Sequence, residues 1–241
     1  MQSFAQLVGF PPESWRHASP DETHGTTVLG LRFDQGALML ADRRATAGNL
    51  IMYERAEKII ALDDFTLMAI SGSFARSVEV GRFLKHSFKY YRRAVMSELS
   101  LEGKLMEISR SLASNLPAAM DGIGMFLPVV AAYDTATDRF GLYFFDPAGA
   151  RFENGEYICA GSGSERIRGI FEYLNQTKGP SSSRPLDDVL GEGLRMLDIA
   201  AELDSATGGF QRVLPVAMVL TKEGVTKLSD EKLKEAIAKL G

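Results

Sequence analysis

The stretch TTVLGLRF at residues 26–33, followed closely by ALMLAD at residues 37–42, decides the fold class of this chain. Both runs are short and apolar, and the turn signal Asp34-Gln35-Gly36 between them predicts that they pair as a β-hairpin. Residues 58–62 and 65–70 repeat the same arrangement, which predicts a second hairpin. This region is therefore expected to contain four strands.

Helices and strands follow in blocks along the rest of the chain. Apolar residues at helical spacing predict one helix that starts near Ser73 and a second that follows Ser100, with Pro117 kinking or ending the second. The remaining predicted elements are strands at 128–133, 139–145 and 156–160, helices at 164–175 and 185–203, strands at 213–220 and 225–228, and a short terminal helix capped by Ser229. Strands and helices grouped in blocks, rather than in strict alternation, predict antiparallel sheets with helices packed outside them.

The composition is that of a globular protein with a sizeable core. Of the 241 residues, 45% are hydrophobic and 24% are charged, and the net charge of −4 argues against a basic nucleic-acid-binding surface or a polybasic membrane anchor. No apolar run reaches the length of a membrane-spanning helix, and the first residues lack the pattern of a signal peptide, so a cytoplasmic chain without nucleic-acid or membrane partners is expected. The single cysteine, Cys159, excludes a disulfide framework and is expected to be a buried small hydrophobe.

Residues 1–25 differ in character from the sequence that follows them. They contain three prolines and two of the three histidines, and they show no sustained periodicity. We therefore expect a leader that does not contribute to the core. The change in character falls between Gly25 and Thr26, where the first predicted strand begins.

Several familiar catalytic motifs are absent. The sequence has no Walker-type phosphate loop and no H-E-x-x-H motif, and three scattered histidines argue against a histidine-based metal site or a Ser-His-Asp triad. An enzyme of this composition needs another base for its nucleophile. A threonine hydroxyl activated by its own α-amine meets that need, because an α-amine with a pKa of about 7.7–8.0 is partly neutral near pH 7. Such chemistry requires a threonine at a new N-terminus, and the change in character at Gly25-Thr26 is where the cut would fall.

Six sequence features, in order along the chain, resemble those of one enzyme family. They are His24-Gly25-Thr26-Thr27-Val28, Asp42-Arg43-Arg44-Ala45-Thr46-Ala47-Gly48-Asn49, Lys58, Ser71-Gly72-Ser73, Gly161-Ser162-Gly163-Ser164 and Asp204-Ser205-Ala206-Thr207-Gly208-Gly209. In that order they resemble the processing site, the D-R-R-x-T-x-G-N loop, the lysine beside the nucleophile, the glycine turn, the G-S-G-S motif and the D-S-A-[ST]-G-G motif of proteasome β-subunits. Asp42 and Lys58 lie 16 and 32 positions after Thr26, as in that family. The chain resembles the precursor of a bacterial, actinobacterial-type 20S β-subunit rather than the shorter HslV type.

The resemblance implies a fold and a division of the chain. The expected fold is α+β, a four-layer αββα sandwich in which two antiparallel sheets lie between helices, known as the N-terminal-nucleophile hydrolase fold. Residues 1–25 would be a propeptide removed by autoprocessing at Gly25-Thr26. Residues 26–241 would form the hydrolase domain.

The resemblance also implies three central catalytic roles. Thr26 would be the nucleophile, Lys58 would ease deprotonation of its hydroxyl, and Asp42 would pair with the lysine and keep it charged. Read without the family, Lys58 is a solvated charge at a strand end and Asp42 is an ordinary turn carboxylate.

Other residues would complete the site and bind the substrate. The resemblance places Ser162, Asp204 and Thr207 around the new α-amine, and it points the backbone N–H of Gly72 at the developing oxyanion. The substrate-binding set would be Ala45, Thr46, Ala56, Ile70 and Phe74. Because most of this set is apolar, we expect cleavage after apolar or aromatic residues, although Ile70 and Phe74 fit the core equally well.

The implied function is that of the catalytic β-subunit of a bacterial 20S proteasome, a self-compartmentalised threonine endopeptidase that needs no cofactor or metal. Its partners would be proteasome α-subunits, homo-heptameric β-rings stacked in an α7β7β7α7 particle, a ring-shaped ATPase or other activator acting through the α-rings, and unfolded protein substrates. Three alternatives stay open: an HslV-type peptidase, a non-proteolytic amidohydrolase of the same N-terminal-nucleophile class, and a catalytically silent ring subunit. The joint presence of Thr26, Asp42 and Lys58 argues against the silent subunit.

Overall fold

The computed structural model describes residues 25–48, 50–121 and 124–240. Within these ranges the strands are β1 (Val28–Phe33), β2 (Gly36–Ala41), β3 (Ala45–Ala47), β4 (Leu50–Tyr53), β5 (Ile59–Asp63), β6 (Thr66–Gly72), β7 (Phe126–Asp134), β8 (Arg139–Phe145), β9 (Arg151–Asn154), β10 (Tyr157–Ala160), β11 (Val216–Thr221) and β12 (Gly224–Lys227). The helices there are α1 (Phe74–Val95), α2 (Leu101–Met120), α3 (Ser164–Lys178), α4 (Leu186–Leu203) and α5 (Asp230–Ala238). The predicted leader, apart from Gly25, and Asn49 of the D-R-R-x-T-x-G-N loop lie outside the described residues.

The strands form two five-stranded antiparallel sheets and one two-stranded hairpin. The first sheet has the order β10-β1-β2-β11-β12, and the second has the order β5-β6-β7-β8-β9. The predicted hairpin of β1 and β2 is confirmed, with Val28 opposite Ala41 and Phe33 opposite Gly36. The second predicted hairpin is confirmed as β5 and β6.

Alternating side chains on each sheet pack against two different layers, as the two-residue period of a strand requires. In β2, Leu38 and Leu40 pack against α3, α4 and α5, whereas Ala37, Met39 and Ala41 face the second sheet. Strand β6 shows the same alternation: Leu67 and Ala69 face the first sheet, and Met68 and Ile70 face α1 and α2. The result is a four-layer αββα sandwich, which confirms the predicted fold class.

The helices begin where the sequence signals place them. The side chain of Ser100 accepts a hydrogen bond from the Gly103 backbone at 3.2 Å, and Ser229 caps α5 through the Lys232 backbone at the same distance. Helix α2 continues past Pro117 and ends at Met120. In the described ranges, no helix combines the length and the apolar character needed to cross a membrane.

Short elements account for most differences between prediction and structure. The β3–β4 hairpin and β9 were not predicted, because three- and four-residue strands carry little periodicity. Strand β11 begins at Val216 rather than at residue 213, since Pro215 lacks the backbone N–H that a strand interior needs. Cys159 is half-buried and packs against the core, and its burial raises the pKa of the thiol to about 11.

Candidate active site

A buried ion pair joins Asp42, which directly follows β2, to Lys58, which directly precedes β5. Lys58 Nζ lies 2.8 Å from Asp42 Oδ1, and the two side chains are 1% and 0% exposed. The reading of Lys58 as a solvated strand-end charge is therefore wrong. We call Asp42 and Lys58 the buried ion pair.

Asp42 is also the acceptor for three backbone N–H groups. Its Oδ1 accepts from Thr27 at 2.8 Å, and its Oδ2 accepts from Arg44 and Gly208 at 2.9 Å each. With Lys58, the carboxylate thus has four donors, two on each oxygen. These contacts hold the segment before β1, the loop after β2 and the loop after α4 around one carboxylate.

The environment of Lys58 works against its positive charge. Burial lowers the pKa of the Lys58 ammonium, and the attraction of Asp42 only partly opposes this effect. Its Nζ also donates to the carbonyl oxygen of Arg44 at 2.5 Å. The ammonium therefore gives up its proton more readily than an exposed lysine would, while Asp42 and the carbonyl hold it in place.

Thr26 lies two residues before the start of β1 and is 5% exposed. Its hydroxyl donates to the carbonyl oxygen of Gly25 at 2.7 Å, which places Oγ1 beside the peptide bond that the predicted processing would break. The Gly25 N–H in turn donates to Thr46 Oγ1 at 3.0 Å. In the intact chain, the nitrogen of Thr26 belongs to this peptide bond and is not an amine.

Ser162, Asp204 and Thr207 form a second group, which we call the hydroxyl cluster. The hydroxyls of Ser162 and Thr207 both donate to Asp204 Oδ2 at 2.6 Å. Sheet pairing explains their position near the nucleophile: β10 lies beside β1, with Ala160 opposite Val28, so the loop after β10 meets the residues before β1. The structure thus brings the three residues together, while their role around the new α-amine stays a prediction.

Arg44 ties the loop after β2 to the loop after α4. Its Nη1 donates to the carbonyl oxygens of Ser205 at 2.9 Å and Thr207 at 3.3 Å. Its Nη2 pairs with Glu54 Oε1 at 3.2 Å. These contacts fix the loop that carries Thr207 relative to the buried ion pair.

Two glycines with positive φ allow close backbone packing at the site. Gly161 has φ +100°, and a Cβ there would lie 1.8 Å from the carbonyl oxygen of Thr26. Gly72, at the end of β6, has φ +94°, and a Cβ would lie 2.5 Å from the carbonyl oxygen of Met125. Both positions therefore require glycine.

Replacing Gly161 by alanine is expected to lower the free energy of unfolding by at least about 2 kcal/mol, because it combines a strained φ with a clash against Thr26. Gly169→Ala is the matched control. Gly169 lies within α3 with open space at its Cβ position, so alanine there should stabilise the helix by about 1 kcal/mol. Denaturant titration of both variants measures the difference, and equal stabilities would contradict the assigned packing.

The predicted substrate-binding residues occupy different environments. Ala45 and Thr46 lie in β3, and Ala56 is buried in the loop that follows β4. Ile70 is covered by the apolar cluster between the second sheet and α1–α2, and Phe74, the first residue of α1, packs partly buried against that cluster. Their contribution to substrate binding stays a prediction.

Sequence reasoning assigned no role to Thr27, yet this residue is fully buried between the two groups. Its backbone N–H donates a hydrogen bond to Asp42 Oδ1, and its hydroxyl lies 2.7 Å from Thr207 Oγ1. The partners of Thr27 are distant in sequence, so the sequence could have indicated a role for Thr27 only through its position next to Thr26.

Comparison with known proteins agrees with this geometry. The family model described as proteasome subunit matches residues 22–213. The chain is 33% identical over 223 residues to "Proteasome subunit beta" of Acidimicrobium ferrooxidans, covering 90% of this chain and 78% of that protein. It is 31% identical over 215 residues to the Streptomyces griseus protein of the same name, covering 88% and 74%. The corresponding protein of Acidothermus cellulolyticus is 34% identical over 221 residues, covering 88% and 73%. The chain belongs to the proteasome subunit family, within which it resembles the β-subunits of actinobacteria.

Proposed function

We propose that this chain is the precursor of a catalytic proteasome β-subunit that acts as a threonine endopeptidase. One observation carries the proposal: the buried ion pair is bonded, through Asp42, to the backbone N–H of Thr27, the residue that follows Thr26 in the chain. Burying two charges costs desolvation free energy that their attraction only roughly offsets, so stability alone gives little reason for this pair. A role in proton transfer at Thr26 is a better reason for burying the pair. It favours a catalytic subunit over a silent one.

Processing would be an attack of Thr26 on its own chain. The hydroxyl proton passes to a base, for which the Lys58 amine with its lowered pKa is suited, and Oγ1 bonds to the carbonyl carbon of Gly25. The C–N bond then breaks, the nitrogen of Thr26 takes up a proton, and an ester links Gly25 to Thr26. Hydrolysis of this ester by water releases residues 1–25 with a new carboxylate and leaves Thr26 with a free amine and a free hydroxyl.

Peptide cleavage would use the same hydroxyl after processing. Oγ1 attacks the substrate carbonyl carbon, the leaving amine departs with a proton, and the resulting ester is hydrolysed by a water that the α-amine deprotonates. Residues of the hydroxyl cluster would orient this amine, and the N–H of Gly72 would stabilise the oxyanion. No step draws on a metal or cofactor.

The assembly belongs to the proposal as well. We expect homo-heptameric β-rings stacked between rings of α-type subunits in the cytoplasm, with an activator acting through the α-rings and residues 26–241 as the mature domain. Co-expression with an α-type partner, followed by sizing and a peptidase assay, tests this function. A large co-assembled particle that hydrolyses peptides supports it, whereas a small species that hydrolyses only non-peptide amides would favour the amidohydrolase.

The substrate prediction is that the particle cleaves after apolar or aromatic residues, because Ala45, Ala56, Ile70 and Phe74 offer no charge to a substrate side chain. A panel of fluorogenic peptides that differ only in the residue before the cut measures this preference. Apolar and aromatic peptides should give the highest kcat/KM. A preference for a basic or acidic residue would contradict the assignment of the pocket.

A further inference from the structure

Thr27 makes two contacts that have no role in the proposed mechanism. Its backbone N–H donates to Asp42 Oδ1 at 2.8 Å, the same oxygen that accepts from Lys58. Its hydroxyl lies 2.7 Å from the hydroxyl of Thr207. One fully buried residue, adjacent to the nucleophile, therefore touches both the buried ion pair and the hydroxyl cluster.

The single proton of each threonine hydroxyl determines the direction of the hydrogen bonds in this cluster. A threonine hydroxyl has one proton, and Thr207 uses its proton on Asp204 Oδ2 at 2.6 Å, since a carboxylate only accepts. Thr207 Oγ1 must then accept from Thr27, so the Thr27 hydroxyl is the donor of the 2.7 Å bond. The three residues form a directed chain that ends on the Asp204 carboxylate, and such chains strengthen each bond by polarisation.

The close approach of the two hydroxyls depends on a glycine. A Cβ at Gly163 would lie 2.2 Å from Thr27 Oγ1 and 2.9 Å from Thr207 Oγ1. The G-S-G-S motif thus has a second physical role: its first glycine makes room for the carbonyl of Thr26, and its second makes room for this hydroxyl pair.

Resting on the proposed function, we propose that Thr27 is a positioning residue for the nucleophile. Its hydroxyl bond to Thr207 and its N–H bond to Asp42 hold the backbone of Thr26 between the two groups. This keeps Oγ1 in place against the carbonyl of Gly25 before processing, and it keeps the α-amine in a fixed position afterwards. A displacement of about 1 Å at a reacting group can cost on the order of 10²-fold in rate.

Two substitutions separate the hydroxyl from the shape of the side chain. Thr27→Val keeps the β-branched shape and removes the hydroxyl, whereas Thr27→Ser keeps the hydroxyl. Thr66→Val is the matched control, because Thr66 in β6 is also fully buried but its hydroxyl has no hydrogen-bond partner among the described residues. Each variant is co-expressed with an α-type partner, and leader removal, kcat and KM for a fluorogenic peptide, and the thermal midpoint are measured.

We expect Thr27→Val to slow leader removal and to lower kcat about 10- to 100-fold, with KM changed less than about threefold. Thr27→Ser and Thr66→Val should process and hydrolyse like the wild type. Should the valine chain fail to assemble, Thr27→Ala against Thr27→Ser makes the same comparison, and assembled alanine particles should show the loss in kcat.

Wild-type processing and kcat in the valine or alanine particles would overturn the positioning role. An equal loss in Thr27→Ser would also overturn it, because loss of the hydroxyl would then not be the cause. Failure of both hydroxyl-free chains to assemble would overturn it as well, because Thr27 would then have a structural role. A wild-type particle that hydrolyses no peptide would instead overturn the proposed function, so the two failures are distinguishable.

Discussion

Replacing Thr26 by alanine is expected to leave residues 1–25 attached and to lower peptide hydrolysis by at least about 10⁴-fold, because the substitution removes the only group proposed to form the ester. The fold should survive, since the side chain is small and its hydrogen bond within the described residues, at 2.7 Å, goes to the neighbouring Gly25 carbonyl. Intact mass reports leader removal, and a fluorogenic peptide reports hydrolysis.

Thr26→Ser provides the control for that experiment, because serine keeps a hydroxyl at the same position. It should process and hydrolyse measurably, although the loss of the methyl group frees an extra rotamer and slows both steps. An alanine chain that matures to the wild-type mass would show that another group cuts the chain.

Replacing Lys58 by methionine is the second change with a large expected effect. Leader removal and peptide hydrolysis should fall by about 10²- to 10⁴-fold, as for loss of a general base. The free energy of unfolding should fall by about 3–5 kcal/mol, because Asp42 then remains buried without its countercharge. Lys58→Arg refines the test, since a guanidinium keeps the positive charge but cannot serve as a proton acceptor.

The chain offers a matched control in its other buried lysine. Lys104 in α2 lies 2.7 Å from Asp63 Oδ2, with side chains 6% and 13% exposed, and it touches neither the buried ion pair nor the hydroxyl cluster. Lys104→Met should therefore destabilise the fold while particles that assemble keep wild-type kcat and leader removal. Equal catalytic losses in the two methionine variants would mean that Lys58 acts through stability rather than through chemistry.

The fold could be read from the sequence where strands are long and turns are clear. The β1–β2 hairpin and β8 were predicted within two residues of their observed ends, because apolar runs and the turn residues beside them agree there. Strand β4 gave a weaker signal: its Leu50–Tyr53 segment is apolar, yet all four residues are exposed. The apolar composition of that strand therefore does not predict whether its side chains are buried.

The candidate site was predicted through resemblance rather than through local pattern. Lys58 reads as a strand-end charge in isolation, and its burial against Asp42 arises only because the loop after β2 and the start of β5 meet. Ser162 and Asp204 meet because β10 pairs with β1 and α4 ends nearby, which are contacts between distant segments. The role of Thr27 emerged only once its hydroxyl could be followed to Thr207.

The decisive measurement is the intact mass and N-terminal sequence of the wild-type chain, purified from particles co-assembled with an α-type partner, because it shows whether Thr26 becomes the first residue. We expect a single species that has lost residues 1–25 and begins with Thr26. An active particle whose chain keeps the leader, or begins at any other residue, would contradict a threonine nucleophile with a free α-amine.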